Sequence, residues 1–216
     1  MRIGIIGAGW LGGTVGRQWV RAGHEVLFSS RHPERLKSLA EDLGSRASVG
    51  TVAAAAAFGP VVLIATPYEA MAAIGRDHQE ALRGRIVLDA TNPGASGRFA
   101  RDAATDGVGP TSARLLLGTR LVRAFSAVDA TAIEASAKGR GVRLAVPLAG
   151  DTGRQSTPRS SSYATRDVTH WWSETSQRPG ASSVRGRAFA RTQTCQACAA
   201  FWGLGTTPDA AHYLAM

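Results

Sequence analysis

The 216-residue sequence lacks the marks of a membrane or secreted protein. No stretch approaches the roughly 20 uninterrupted apolar residues that a membrane span requires. The apolar run within residues 1–7 is too short for a secretory signal, carries one positive charge and ends in glycine, as a first core strand would. We therefore expect a cytoplasmic protein that has no membrane partner.

Acidic residues are scarce, with 16 Asp and Glu against 25 Lys and Arg, which gives a net charge of +9 and a pI near 10.9. Such an excess raises the question of a nucleic-acid partner. The basic residues are scattered singly, however, and the chain has no lysine/arginine block, no aromatic RNA-binding strand and no zinc-finger spacing. We expect no nucleic-acid partner, because a basic surface that attracts a polyanionic cofactor explains the charge.

Cysteine is nearly absent, and the two that occur form the pair Cys195-Gln196-Ala197-Cys198. Such a pair can be a redox dithiol or half of a zinc site. A redox motif normally opens a helix after a strand, and zinc needs two more ligands at suitable spacing. Since neither context is present, we expect inert thiols and no metal site. His24, in a predicted helix-to-strand turn, is interpreted as structural, and His78 as a solvated side chain.

Residues 1–151 alternate short apolar runs with amphipathic stretches. This alternation predicts parallel strands joined by crossover helices, and therefore an α/β fold with a doubly wound, mostly parallel Rossmann sheet. The predicted strands are residues 2–6, Glu25–Ser29, Val61–Ala65, Ile86–Leu88, Arg120–Ala124 and Arg143–Pro147. The predicted helices are Leu11–Ala22, one opened by His32-Pro33-Glu34, and one from about Ala130 to Lys138.

The composition changes abruptly after residue 151. Residues 152–216 are rich in Ser, Thr, Arg and Gln and contain few branched aliphatic side chains. Such a segment can bury little apolar area against the entropy of ordering it. We expect residues 1–151 to form the nucleotide-binding domain and residues 152–216 to form an atypical, weakly structured and irregular C-terminal tail.

A glycine loop follows the first predicted strand. Gly7-Ala8-Gly9-Trp10-Leu11-Gly12 fits the pattern G-x-G-x-x-G and opens a helix, which is the context that gives the pattern its meaning. Gly7 allows the tight turn, Gly9 lets the backbone approach a pyrophosphate, and Gly12 lets the helix pack against the strand. The alternative is a glycine-rich turn that binds nothing. The context favours dinucleotide binding.

The end of the second predicted strand separates NADP from NAD. NAD-selective domains place an Asp or Glu there to accept hydrogen bonds from the ribose. This chain has Ser30 and Arg31 instead, with Arg35 one helical turn further on. A hydroxyl and two guanidinium groups can hold a 2′-phosphate, so the sequence predicts NADP(H). The alternative is a solvated turn with incidental arginines.

Two further strand ends carry polar or turn-forming residues. Thr66 and Pro67 follow one apolar run, and Asn92 and Pro93 follow the next. Ligands of open α/β sheets lie across the carboxyl ends of the strands. Each motif alone could be a simple turn. At successive strand ends, the two motifs together are expected to line one crevice near ribose or nicotinamide.

These motifs, together with Leu121-Val122-Arg123-Ala124-Phe125, resemble the NADPH-dependent deazaflavin (coenzyme F420) reductase family over roughly residues 1–151. The resemblance implies direct hydride transfer from nicotinamide to a deazaflavin or flavin ring, with no catalytic side chain. It also implies pyrophosphate contacts at residues 8–11, 2′-phosphate contacts at Ser30, Arg31 and Arg35, and a homodimer. Thr66, Pro67 and Asn92 match positions near the ribose and nicotinamide.

The chain departs from this family at three places. Trp10 stands where asparagine is common, and Ser126, near the expected nicotinamide, stands where asparagine usually follows Phe125. Residues 152–216 do not continue with the family's regular helix and strand. Two alternatives remain open. The first alternative to a deazaflavin reductase is a reductase for another acceptor, such as a flavin, an imine or a ferric chelate. The second is a non-catalytic NADP-binding or sensor protein, or an inactive product with an altered C-terminus.

Overall fold

The computed structural model describes residues 1–140 and 144–150. The weakly structured tail expected at 152–216, with Cys195 and Cys198, lies outside these residues. Seven strands form the described sheet: β1 (Arg2–Ile6), β2 (Glu25–Ser29), β3 (Ala47–Gly50), β4 (Val61–Ile64), β5 (Ile86–Asp89), β6 (Arg120–Ala124) and β7 (Leu148–Gly150).

The strand order is β3-β2-β1-β4-β5-β6-β7. Strands β1 to β6 are parallel, and β7 runs antiparallel to β6. The chain winds outward from β1 to β3, then returns to place β4 on the other side of β1. This reversal is the topological switch point at which doubly wound sheets bind ligands. The predicted α/β class and mostly parallel Rossmann sheet are confirmed.

Helices lie between consecutive strands along the chain. They are α1 (Trp10–Arg21), α2 (Lys37–Leu43), α3 (Val52–Phe58), α4 (Met71–Asp77), α5 (Gln79–Leu82), α6 (Arg98–Asp106), α7 (Val108–Leu115) and α8 (Ala130–Ala137). Two of them begin at side-chain caps: Thr51 accepts a hydrogen bond from Ala54 N, and Asp129 accepts one from Thr131 N. Within the described residues, no helix has both the length and the apolar character needed to cross a membrane.

The hydrophobic core includes the central strands of the sheet. All of β4 is buried, as are Ile3, Ile5 and Ile6 of β1, because strands in the middle of a parallel sheet are covered on both faces. This burial explains why the central strands are continuous apolar runs in the sequence.

The predicted strand at Arg143–Pro147 is wrong. Residues 144–147 have no regular structure, Arg143 lies outside the described residues, and the strand is Leu148–Gly150. Its pairing partners are residues 122–124 at the end of β6. The available sheet edge, rather than the apolar run, therefore decides where this strand forms. The predicted helix after His32 begins instead as a 3-10 turn, Pro33–Leu36, which leads into α2.

Candidate functional site

The glycine loop is held against the end of β2. Gly7, with φ of +96°, turns the chain out of β1 in a conformation that side-chain-bearing residues rarely adopt. The backbone N–H groups of Gly7 and Ala8 both donate to the carbonyl oxygen of Ser29, over 3.0 and 2.9 Å. The carboxyl ends of β1 and β2 are thereby joined.

Helix α1 begins at this loop with an open amino end. Gly9 occupies the cap position, no side chain caps the helix, and its first turn holds no acidic residue. Gly13 N–H donates to Gly9 O over 2.8 Å. The preceding N–H groups at a helix start have no acceptor within the helix, and together with the helix dipole they attract an anion.

Two glycines of the loop differ in what surrounds them. A Cβ built on Gly12 would stand 2.2 Å from Gly7 O, so Gly12 is needed for the close approach of helix and strand. A Cβ built on Gly9 meets no atom within 4 Å. Gly9 therefore borders open space at the helix start, where a pyrophosphate can come close to the backbone.

The other predicted residues of the loop lie around this space. Trp10 is the first residue of α1 and is 63% exposed. Leu11 is half-buried, and Ala8 is buried. The structure thus brings all six predicted loop residues to the carboxyl edge of the sheet.

The end of β2 presents positive charge. Arg31 and Arg35 are exposed, and neither forms an ion pair within the part of the chain that the structure describes. The nearby carboxylate of Glu34 is 3.3 Å from His32 Nδ1. Ser30 Oγ accepts a hydrogen bond from His32 N over 3.0 Å, which orders the turn. Two guanidinium groups are therefore available to an anion here.

Thr66 lies beside the glycine loop at the end of β4. Its methyl group would be 2.8 Å from a Cβ on Gly7. Its hydroxyl is buried and has no hydrogen-bond partner among the described residues. A buried polar atom without a partner is costly, and such a group is expected to find one when a ligand binds. The exposed Pro67 follows and begins the next turn.

The ends of β5 and β6 are joined by a buried ion pair that sequence reasoning missed. Arg123 Nη1 lies 2.6 Å from Asp89 Oδ2, and the side chains are 2% and 0% exposed. Arg123 also donates to Thr91 O over 2.5 Å and to Asn92 Oδ1 over 2.8 Å. Asp89 Oδ1 in turn accepts hydrogen bonds from the N–H and hydroxyl groups of Thr91.

A signal for this pair was present in the sequence. Asp89 ends the run Ile-Val-Leu-Asp, and Arg123 interrupts Leu-Val-Arg-Ala. A charged residue in an otherwise buried strand is rarely stable without a partner, so two such strands predict a pair.

The remaining predicted residues meet at the same place. Asn92 Nδ2 donates to Ser126 O over 2.7 Å. Ser126 and Pro93 are half-buried. The predicted crevice residues at the ends of β5 and β6 are thus brought together by side-chain hydrogen bonds, in a way that spacing did not show.

The histidines stand apart from this edge. His24 lies at the opposite edge, just before β2, with Nδ1 3.0 Å from the Met1 ammonium. Burial and that ammonium lower the pKa of His24 to about 4. His78 is half-buried between α4 and α5. Among the described residues, no three His, Cys, Asp or Glu side chains cluster as metal ligands.

Comparison with known proteins finds a similarity to one family over the N-terminal part of the chain. Residues 2–93 match the family model described as NADP oxidoreductase, coenzyme F420-dependent. No curated protein matches the chain. The glycine loop, the arginines after β2, and the Thr66 and Asn92 motifs all fall within the matched residues.

Two crystal structures share the fold. A candidate F420-dependent NADP reductase from Arthrobacter sp. FB24 matches with a TM-score of 0.64 at 22% identity, over 82% of both chains. A hypothetical protein from Sinorhizobium meliloti matches with a TM-score of 0.63 at 25% identity, over 82% of this chain and 81% of that one. The similarity to the coenzyme F420-dependent NADP oxidoreductase family thus covers residues 2–93, and the fold agrees with that of these two solved structures.

Proposed function

We propose that the protein is an NADPH-dependent oxidoreductase that passes a hydride between nicotinamide and a deazaflavin (coenzyme F420) or flavin-like acceptor. The observation that carries this proposal is the pairing of an open helix start at Gly9 with Arg31 and Arg35. NAD-selective domains hold a carboxylate where this chain has Ser30 and Arg31.

The adenine half of the cofactor would be held by backbone N–H groups and by positively charged side chains. The N–H groups at the start of α1 would bind the pyrophosphate, with Gly9 as the point of closest approach. Arg31 and Arg35 would pair with the 2′-phosphate, and Ser30 would add a hydrogen bond. Trp10, exposed at the mouth of the loop, would cover the pyrophosphate.

The nicotinamide half would lie over the ends of β4, β5 and β6. Thr66 would gain a partner for its hydroxyl, and Asn92 and Ser126 would contact the ribose or carboxamide. When bound, NADPH supplies a hydride with two electrons from nicotinamide C4 to the acceptor ring, and a solvent proton completes the reduction. The protein's part is to position two rings and exclude water, which requires no side-chain acid or nucleophile.

The acceptor assignment is supported by the family match, whose description names coenzyme F420. The experiment is a stopped-flow screen that follows NADPH absorbance with a deazaflavin, then a flavin, then an imine as acceptor. Fast oxidation of NADPH by the deazaflavin is the expected result. Faster oxidation by the flavin or the imine would identify that compound as the acceptor instead.

The same screen tests whether the protein is an enzyme. Tight NADPH binding without turnover on any acceptor would favour a non-catalytic NADP sensor or an inactive product over a reductase. Fluorescence titration of NADPH and NADH provides the binding measurement.

A further inference from the structure

The guanidinium group of Arg123 is held in place by several hydrogen bonds at the ends of β5 and β6. It stands opposite Asp89 in the register of β5 and β6, so their side chains share one face of the sheet. Its guanidinium contacts three oxygens, Asp89 Oδ2, Thr91 O and Asn92 Oδ1. A planar guanidinium with this many partners has one orientation.

This arrangement decides which way the amide of Asn92 faces. Arginine can only donate hydrogen bonds, so the atom it contacts must be the amide oxygen. Nδ2 then faces Ser126 O, to which it donates over 2.7 Å. An NH2 group has two hydrogens, and the second has no acceptor among the described residues. Since Asn92 is exposed, this N–H is available to a ligand at the carboxyl edge.

The backbone beside Ser126 carries strain. Phe125 has φ of +63°, the single positive value among the described residues other than glycine. For a bulky residue this conformation costs free energy and persists where the surroundings impose it. Among the described residues, the ring of Phe125 packs edge-on against Trp19 at 6.1 Å, and Asn92 donates a hydrogen bond to the carbonyl of the next residue, Ser126.

We propose that the buried Asp89–Arg123 pair is a positioning device that fixes Asn92 as a hydrogen-bond donor to the nicotinamide–ribose half of the cofactor. Asn92 would donate one N–H to Ser126 O and the other to a ribose hydroxyl or carboxamide oxygen. Arg123 touches no ligand in this scheme and acts through Asn92. The inference rests on the proposed NADP(H) binding.

The chain offers a direct probe, because Asn92 is its single asparagine. Protein made with 15N-labelled asparagine therefore shows one side-chain NH2 pair in an NMR spectrum. We expect this pair to shift on addition of NADP+ and to stay in place on addition of adenosine 2′,5′-bisphosphate, which lacks the nicotinamide half. If the NH2 resonances do not shift at saturating NADP+, the inference is overturned.

Variants give a second readout. Asn92→Leu keeps the side chain's size but removes the donor, and should weaken NADP+ binding by roughly tenfold while leaving the bisphosphate within about twofold. Arg123→Lys keeps the charge opposite Asp89 but cannot reach all three oxygens, and should show the same selective loss. Equal weakening of both ligands would mean a general structural role and would overturn the inference.

Arg31→Ala is the matched control, because it lies at the 2′-phosphate end and should weaken both ligands. These ligands also separate the two proposals. If neither binds the wild-type protein, the proposed function fails and the inference falls with it. If both bind and the Asn92 and Arg123 variants match the wild type, only the inference fails.

Discussion

Asp89 and Arg123 occupy paired positions on neighbouring parallel strands, and their ion pair, 2.6 Å long and shielded from water, ties the end of β5 to the end of β6. Asp89 Oδ1 and the Nη1 and Nη2 groups of Arg123 also form hydrogen bonds with Thr91 and Asn92. Because the pair is buried, removing one of its two side chains is costly, since the other charge is then left buried without a partner.

Arg123→Leu should therefore lower the free energy of unfolding by about 3–5 kcal/mol, since it leaves the Asp89 carboxylate buried without its cation. The double variant Asp89→Asn with Arg123→Leu removes both charges and keeps an oxygen for Thr91. The double variant should recover much of the free energy of unfolding that Arg123→Leu loses. Urea unfolding of the wild type and both variants measures this, and a double variant less stable than Arg123→Leu would contradict it.

Gly9 and Gly12 of the glycine loop should respond differently to replacement by alanine. Gly12→Ala places a Cβ 2.2 Å from Gly7 O and should destabilise the unliganded protein by about 1–3 kcal/mol. Gly9→Ala meets no atom within 4 Å, so its stability should change by less than about 1 kcal/mol. Its NADPH affinity should nevertheless fall at least about tenfold, because the methyl group enters the pyrophosphate space.

Thermal unfolding without ligand and fluorescence titration with NADPH provide the two measurements. Gly13→Ala, where the nearest atom is 3.8 Å away, is the control and should fold at least as stably as the wild type. Wild-type affinity in Gly9→Ala would place the pyrophosphate elsewhere.

Arg31→Ala should weaken NADPH binding by about 1.5–3 kcal/mol, the usual value of a hydrogen bond to a charged group. NADH lacks the 2′-phosphate, so its affinity should hardly change. Arg46→Ala is a suitable control, because Arg46 is also exposed but precedes β3 at the opposite edge of the sheet. Calorimetric titration of both cofactors tests this, and a parallel loss for NADH would refute the 2′-phosphate role.

Thr66→Val should separate stability from binding. The buried hydroxyl has no partner among the described residues, so replacing it with a methyl group should leave the unliganded protein as stable as the wild type or up to about 2 kcal/mol more stable. NADPH binding should weaken, since the hydroxyl is the group expected to gain a partner. A destabilised variant with unchanged affinity would show that Thr66 serves the fold alone.

His24 should contribute a pH-dependent part of the stability. Its pKa lies at about 4 rather than 6.5, because burial and the Met1 ammonium disfavour the charged ring. Between these values the unfolded chain binds a proton that the folded protein does not. The contribution of His24 to the free energy of unfolding is therefore complete above pH 6.5 and declines as the pH falls towards 4.

Urea midpoints measured from pH 8 to pH 4 for the wild type and His24→Gln give the comparison. The wild type should lose stability more steeply in the acidic half of this range. Parallel curves would show that His24 titrates normally, and NMR titration of its ring would then give a pKa near 6.5.

The sequence alone determined the central part of the fold, and it also contains the local motifs that we propose hold the adenine half of the cofactor. Continuous apolar runs mark the buried strands β1, β4 and β5, because parallel strands covered on both faces need apolar side chains throughout. The glycine loop and the arginines after β2 are local features, readable from consecutive residues.

The tertiary structure decided what depends on pairing between distant segments. Strand β3 and strand β7 form at the sheet's edges, where a neighbour's free backbone groups matter more than apolar content, and β7 was misplaced from the sequence for that reason. The link between Asp89 and Arg123, 34 positions apart, arises from the register of β5 and β6. Asn92 was recognised as a polar strand-end residue, but the direction of its amide follows from Arg123, which only the folded sheet brings beside it.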